Sequence, residues 1–301
     1  MRKVLKAVLA ARAVRFGAAA ALLAATAGCG TPLLTEAGLI SRYDHLTPTE
    51  ATATKARIFV DKAALAGTRT VRIIPTAFSE VVSGSSLTPH ERRLIANAAD
   101  RALCYELSLR YDVVSSGKAD LTVRSAITRV GLTNVPAAGA TIGASAAISI
   151  AAQVGVGFAD SVGKVPVPRI PIGLGDLTVE AEAIDARRQQ RAAMVWAGGA
   201  NSFTNQARFS PGSDAYDLAG DFGQDFGYLL ATGEDPFQAE LTIPTYDRIR
   251  VTALGEAPLD PDCQAFGRAP GIDGIIGDSL GFPPEWTDKG SLDMQRAAGA
   301  R

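Results

Sequence analysis

The sequence predicts an α+β fold: a mainly antiparallel sheet of about four to six strands with two helices on one face, preceded by a signal peptide and followed by an irregular C-terminal tail. Three observations predict it. Short runs with a period of two recur between turn residues, as in Asp120–Val130 and Leu177–Ala186. Two stretches of about 20 residues show helical periodicity instead. The order strand, helix, two strands, two strands, helix then favours helices gathered on one face rather than a βαβ alternation.

The chain opens with Arg2, Lys3, Lys6, Arg12 and Arg15, then runs uncharged from Phe16 to Ala27. A basic region, a short apolar core and small residues form the layout of a secretory signal. The apolar core is about a dozen residues, short of the ~20 that span a bilayer, so residues 1–28 are expected to be removed. Thr26-Ala27-Gly28-Cys29 resembles the bacterial lipobox, with Thr26 where Leu is usual. Cys29 is therefore the expected lipidation site, and the membrane the expected partner through that lipid. An ordinary secreted protein with a free Cys29 thiol is the alternative. Gly30 is not the acidic residue of inner-membrane retention, which favours the outer membrane, facing the periplasm.

Processing would leave 273 residues. Of 30 basic and 31 acidic side chains, five basic ones would be lost, leaving 25 against 31 and a charge of −6. A mildly acidic chain without basic clusters argues against nucleic acid or anionic lipid headgroups as partners, since both demand clustered Lys and Arg. Residues 29–56 are mixed and turn-rich and read as a tether. Residues 57–254 form the expected single α+β domain, and 255–301, rich in Gly, Pro and Asp, read as irregular tail.

Within the domain, Val71, Ile73 and Ile74 read as a buried strand that Pro75 ends. Thr88-Pro89-His90-Glu91 combines a cap, a first-turn proline and a capping-box acid. Leu94, Ile95, Ala98, Ala102, Tyr105 and Leu109 follow at helical spacing, with Cys104 off that stripe. Tyr111–Val114 and Asp120–Val130 read as strands. Leu177–Ala186 and Ala192–Ala200 read as a hairpin turning at Arg187–Gln190. Ser213–Ala231 is a second amphipathic helix, with Ala215, Leu218, Phe222, Phe226 and Leu229 on one side and Asp214, Asp217, Asp221 and Asp225 mostly on the other.

Between Arg129 and Asp160 no residue is charged. In this small-residue insert, set at 131–175, Ile148, Ile150, Val154, Val156 and Phe158 alternate with small or polar residues such as Gln153, predicting a strand with one apolar face. Its two uses are internal packing or an exposed surface for a partner, for self-association or for the membrane.

Chemistry is hard to find. His45 and His90 stand in no metal-ligand spacing with the cysteines, and no G-x-S-x-G elbow is present. Gly157 to Lys164 has five residues between its glycines where a phosphate loop needs four, and Val165 replaces the Ser or Thr. Glu180 and Glu182 share one strand face and read as solvated alternation. No catalytic, cofactor or metal site is expected. Cys104 and Cys263 are left to pair as a disulfide or to stay as thiols.

The segment Gly38-Leu39-Ile40-Ser41-Arg42-Tyr43-Asp44-His45-Leu46, the strand Val71-Arg72-Ile73-Ile74-Pro75, the strand Leu121 to Ile127 and the acidic alternation Val179-Glu180-Ala181-Glu182-Ala183-Ile184-Asp185 together resemble the bacterial lipoproteins of domain-of-unknown-function family 3313. The resemblance covers about Cys29 to Phe203. It implies an envelope lipoprotein with no assigned reaction and supplies no catalytic residues. The expectation is a non-enzymatic module that binds another envelope protein, or else self-associates or inserts into the membrane through residues 137–158.

Overall fold

The computed structural model describes residues 33–80, 82, 86–153, 169, 171–240 and 243–299. Cys29, the signal region and the phosphate-loop-like run lie outside them. One sheet of eight strands organises the chain, in the order β1-β2-β8-β7-β6-β3-β5 with β4 beside β6. The strands are β1 (Thr47–Ala51), β2 (Thr54–Val60), β3 (Thr70–Ile73), β4 (Ala77–Phe78), β5 (Asp112–Val113), β6 (Leu121–Gly131), β7 (Asp176–Asp185) and β8 (Gln190–Gly199). From β1 to β6 every pairing is antiparallel, whereas β3 and β4 lie parallel to β6 and β5 parallel to β3. The sheet is thus larger and more mixed than the expected four to six antiparallel strands. β1, β4 and β5 are too short or too polar to carry a period of their own.

Pro75 falls in the break between β3 and β4, as its missing N–H requires. A short helix α1 (Lys62–Leu65) follows β2, and α2 (Pro89–Ser108) follows β4. Thr88 and Glu91 form the full capping box, the Glu91 amide donating to Thr88 Oγ1 at 3.2 Å and the Thr88 amide to Glu91 Oε2 at 2.6 Å. α2 is buried nearly all round, while Leu109, read as the end of its apolar stripe, is 55% exposed.

The uncharged insert forms a helix, α3 (Val135–Gln153), which takes in residues 148–153 of the run predicted as a strand. Ala-rich sequence propagates helix readily, and its apparent period of two comes from small residues that fit either form. Ile148, Ile150 and Gln153 therefore lie on a helix, and Val154, Val156 and Phe158 lie outside the described residues.

α4 (Ser213–Thr232) packs along α2. A Cβ at Gly223 would stand 2.4 Å from Ala99 O, and one at Gly227 2.4 Å from Glu106 Cβ, so the two helices approach through glycine. Beneath them Trp196, Phe222 and Phe226 are fully buried, each contributing about 1.5–3 kcal/mol.

Of the acids of α4, Asp221 is exposed, whereas the other three are engaged within the protein. Asp214 is buried in an ion pair with Arg169, Asp217 pairs with Arg208, and Asp225 accepts from Trp196 Nε1 at 2.8 Å. What covers them in part is the C-terminal region: α5 (Tyr246–Arg248) with a π-helical turn Ile249–Ala253, and then, over residues 255–301 read as a tail, a 3₁₀ turn Pro261–Phe266 and helices α6 (Gly271–Ser279), α7 (Pro284–Thr287) and α8 (Leu292–Gly299). These are short and glycine-interrupted, too brief for a sustained period. Residues 47–56, read as tether, are strands β1 and β2.

Candidate functional site

The face of the sheet opposite the helices carries a strap, residues 33–46, where the sequence suggested a free tether. Glu180 and Glu182 project from β7 onto this face and are 1% and 0% exposed. Glu180 accepts from the amides of Ala37 and Leu39 and, at 2.6 Å, from the Tyr43 hydroxyl. Glu182 takes the Ser41 amide at 2.7 Å, Ser41 Oγ at 2.9 Å and Gln190 Nε2 at 2.6 Å, and pairs with Arg124. The expected solvated alternation is thus a pair of buried carboxylates. A strand cannot announce from its own sequence that a segment some 140 residues earlier will lie across it. These bonds hold Glu182 below the usual carboxylate range despite its burial. Burial and Glu180 push the Tyr43 hydroxyl up to about 12. Ile40 and Leu46 complete the seam against Ala193 and Val195.

On the helical side, a cavity of about 500 Å³ opens between α2, α4 and the C-terminal segment. Most of its charged lining is paired. Arg101 meets Asp288 at 2.8 Å, Tyr216 donates to the same carboxylate at 2.6 Å, and Arg248 meets Glu106 at 2.7 Å. These contacts seat the C-terminal segment on α2. Asn97 Nδ2 donates to Phe266 O at 2.9 Å, and Cys104 and Cys263 form a disulfide with Cα atoms 5.8 Å apart. Asn97, Arg101 and Cys104 share one face of α2 at helical spacing.

His45 stands edge-on to Phe59 in the strap, whereas His90 is in the first turn of α2, on the other side of the sheet. Among the described residues, no group of three or more His, Cys, Asp or Glu converges as a metal site, and no helix is long and apolar enough to cross a membrane.

The third feature is α6, whose amphipathicity is inverted. It buries Gly271, Gly274 and Gly277 and leaves Ile272, Ile275 and Ile276 between 52% and 58% exposed. The glycines are needed for the approach: a Cβ at Gly277 would stand 2.6 Å from Thr287 Cγ2. Leu280, Phe282 and Trp286 extend the ridge, Trp286 being 72% exposed. The insert touches the base of this lobe, since Ile142 Cδ1 lies 2.4 Å from where a Gly281 Cβ would be. Sequence reasoning passed over the ridge, although Gly at 271, 274 and 277 with Ile at 272, 275 and 276 is a legible helical spacing.

A family model described as a protein of unknown function (DUF3313) matches residues 35–226, from the strap into α4, so the inverted helix lies beyond it. No curated protein matches the chain. Among solved structures, the PelC dodecamer from Paraburkholderia phytofirmans is similar at 12% identity over 62% of this chain and 99% of that one, with a TM-score of 0.32. A substituted form of the same protein gives 13% identity, the same coverage and a TM-score of 0.31.

Proposed function

The chain belongs to the DUF3313 family of proteins of unknown function, and on that premise we propose that it is a non-enzymatic envelope lipoprotein that binds another envelope protein. In this reading a lipid on Cys29 holds it on the outer membrane, facing the periplasm. The α6–α7 ridge is the binding surface. The observation that carries the reading is the inversion of α6. Solvent contact with three isoleucines, a phenylalanine and a tryptophan on one short lobe is unfavourable, and contiguous exposed apolar patches mark interaction sites. Trp and Phe are also residues on which interface energy concentrates.

A second reading is self-association, favoured by the uncharged α3, whose first half packs on the same lobe. One experiment separates them. A photo-crosslinking residue at Ile275 in the lipidated protein in living cells is expected to form adducts with a second envelope protein, lost in Trp286→Asp. Adducts only between copies of the chain would establish self-association instead. Exposure of Ile275 without any protein adduct would sink both.

A further inference from the structure

The strap changes how far the domain can stand from its anchor. A free tether over residues 29–56 would reach up to about 95 Å at ~3.5 Å per residue. In the structure Leu33 O already accepts from Thr178 Oγ1 of β7 at 3.2 Å, and the strap is then held by Glu180 and Glu182 up to Tyr43. Only four peptide steps separate Cys29 from Leu33, a reach of at most ~14 Å.

The surface brought to that distance is rich in arginine. Glu180 and Glu182 are consumed beneath the strap, whereas Arg42, Arg57, Arg124 and Arg129 keep 30% to 62% of their side chains exposed. Each of the four is paired on that face, Arg42 with Asp44, Arg57 with Glu36, Arg124 with Glu182 and Arg129 with Asp176, so the face carries both signs of charge. Guanidinium groups suit the phosphates of lipid headgroups. Leu33 and Leu39 add exposed apolar contact, at 60% and 39%.

We propose that the strap-bearing face of the sheet is the membrane-facing surface of the domain, resting on lipid headgroups, with the helices and the α6 ridge pointing away from the bilayer. The inference rests on lipidation of Cys29. It adds that the strap, by shortening the anchor, sets the orientation.

The test uses the full-length, processed protein in vesicles of phosphatidylethanolamine and phosphatidylglycerol. A nitroxide is placed at Leu39→Cys or at Ile275→Cys, and a paramagnetic metal is chelated on the lipid headgroups. Relaxation of the label is expected to be several-fold stronger at position 39 than at 275. Inserting about ten Gly and Ser residues before Leu33, adding up to ~35 Å of reach while leaving the strap intact, should erase the difference. Intact mass reports lipidation separately. A lipidated protein with equal relaxation at both positions, or stronger relaxation at 275, overturns the orientation alone. An unlipidated mass overturns the anchor and the orientation together. Concentration-dependent dipolar broadening at position 39 would make the face an interface between copies and likewise overturn the proposal.

Discussion

Tyr43 donates a 2.6 Å hydrogen bond to Glu180 across 137 residues of sequence. The carboxylate that receives it also holds the amides of Ala37 and Leu39, so one side chain of β7 fixes both ends of a turn in the strap. The strap thereby becomes part of the sheet's outer surface rather than a leader to it.

Tyr43→Phe removes one donor to Glu180 and also the acceptor of the Ile40 amide at 3.3 Å, so it should cost about 1–3 kcal/mol. Glu180→Ala strands the Tyr43 hydroxyl and two amides and should cost more, about 1–3 kcal/mol for each group left buried and unpaired. Urea unfolding measures the totals. Hydrogen exchange at the Leu39 amide should accelerate in Glu180→Ala before global unfolding. Exchange there at the global rate would mean that the strap has no local opening.

The glycines of α4 should separate by sign. Gly220 has nothing within 4 Å of a built Cβ, so Gly220→Ala should stabilise the protein by about 0.5–1 kcal/mol through helix propensity. Gly223 faces backbone of α2 at 2.4 Å, and Gly223→Ala should destabilise by about 1–3 kcal/mol through overpacking. Thermal unfolding of the two variants decides whether the helices meet where the structure puts them.

Stability should fall as pH rises from about 4 to about 7. Burial pushes Asp100 and Asp225 up to about 7, against the Thr76 bonds and the Trp196 bond that favour ionisation. Over that window the folded state keeps protons that the unfolded chain, titrating near 3.9, has released, so unfolding becomes easier as pH increases. The lowered carboxylates Glu182 and Asp185 act with opposite sign, but below about pH 4. Asp225→Asn, which keeps an acceptor for Trp196, should flatten the slope between pH 4 and 7. A variant with the parent's slope would place the titration elsewhere.

Legibility in the sequence followed from whether a signal was local. The capping box of α2, the proline that ends β3 and the β7–β8 hairpin depend on residues within a turn of one another, and the sequence declares them. The C-terminal part of α3, residues 148–153, reads as a strand because Ala, Ser and Gly do not distinguish period 2 from period 3.6 once large side chains are few. The burial of Glu180 and Glu182 depends on a distant strap, and the covering of the α4 acids on a C-terminal segment of short helices. Neither relation leaves a mark at the buried residue itself. The α6 glycines did carry a local period, hidden because exposed isoleucines invert the usual pattern.

The disulfide ties the C-terminal lobe to the core, and its loss should be felt in the lobe. Cys104 belongs to the buried body of α2 and Cys263 to the 3₁₀ turn, with 159 residues between them. A cross-link closing so long a loop stabilises a folded state by about 2–5 kcal/mol. Here the part it secures is otherwise held by polar contacts such as Asn97 to Phe266 and Arg101 to Asp288. In Cys104→Ser/Cys263→Ser, limited trypsin digestion should therefore cut after Arg250 or Arg268 while the sheet and α2–α4 remain intact, and photo-crosslinks from Ile275 should weaken. Cleavage no faster than in the parent would show that the polar contacts alone keep the ridge in place.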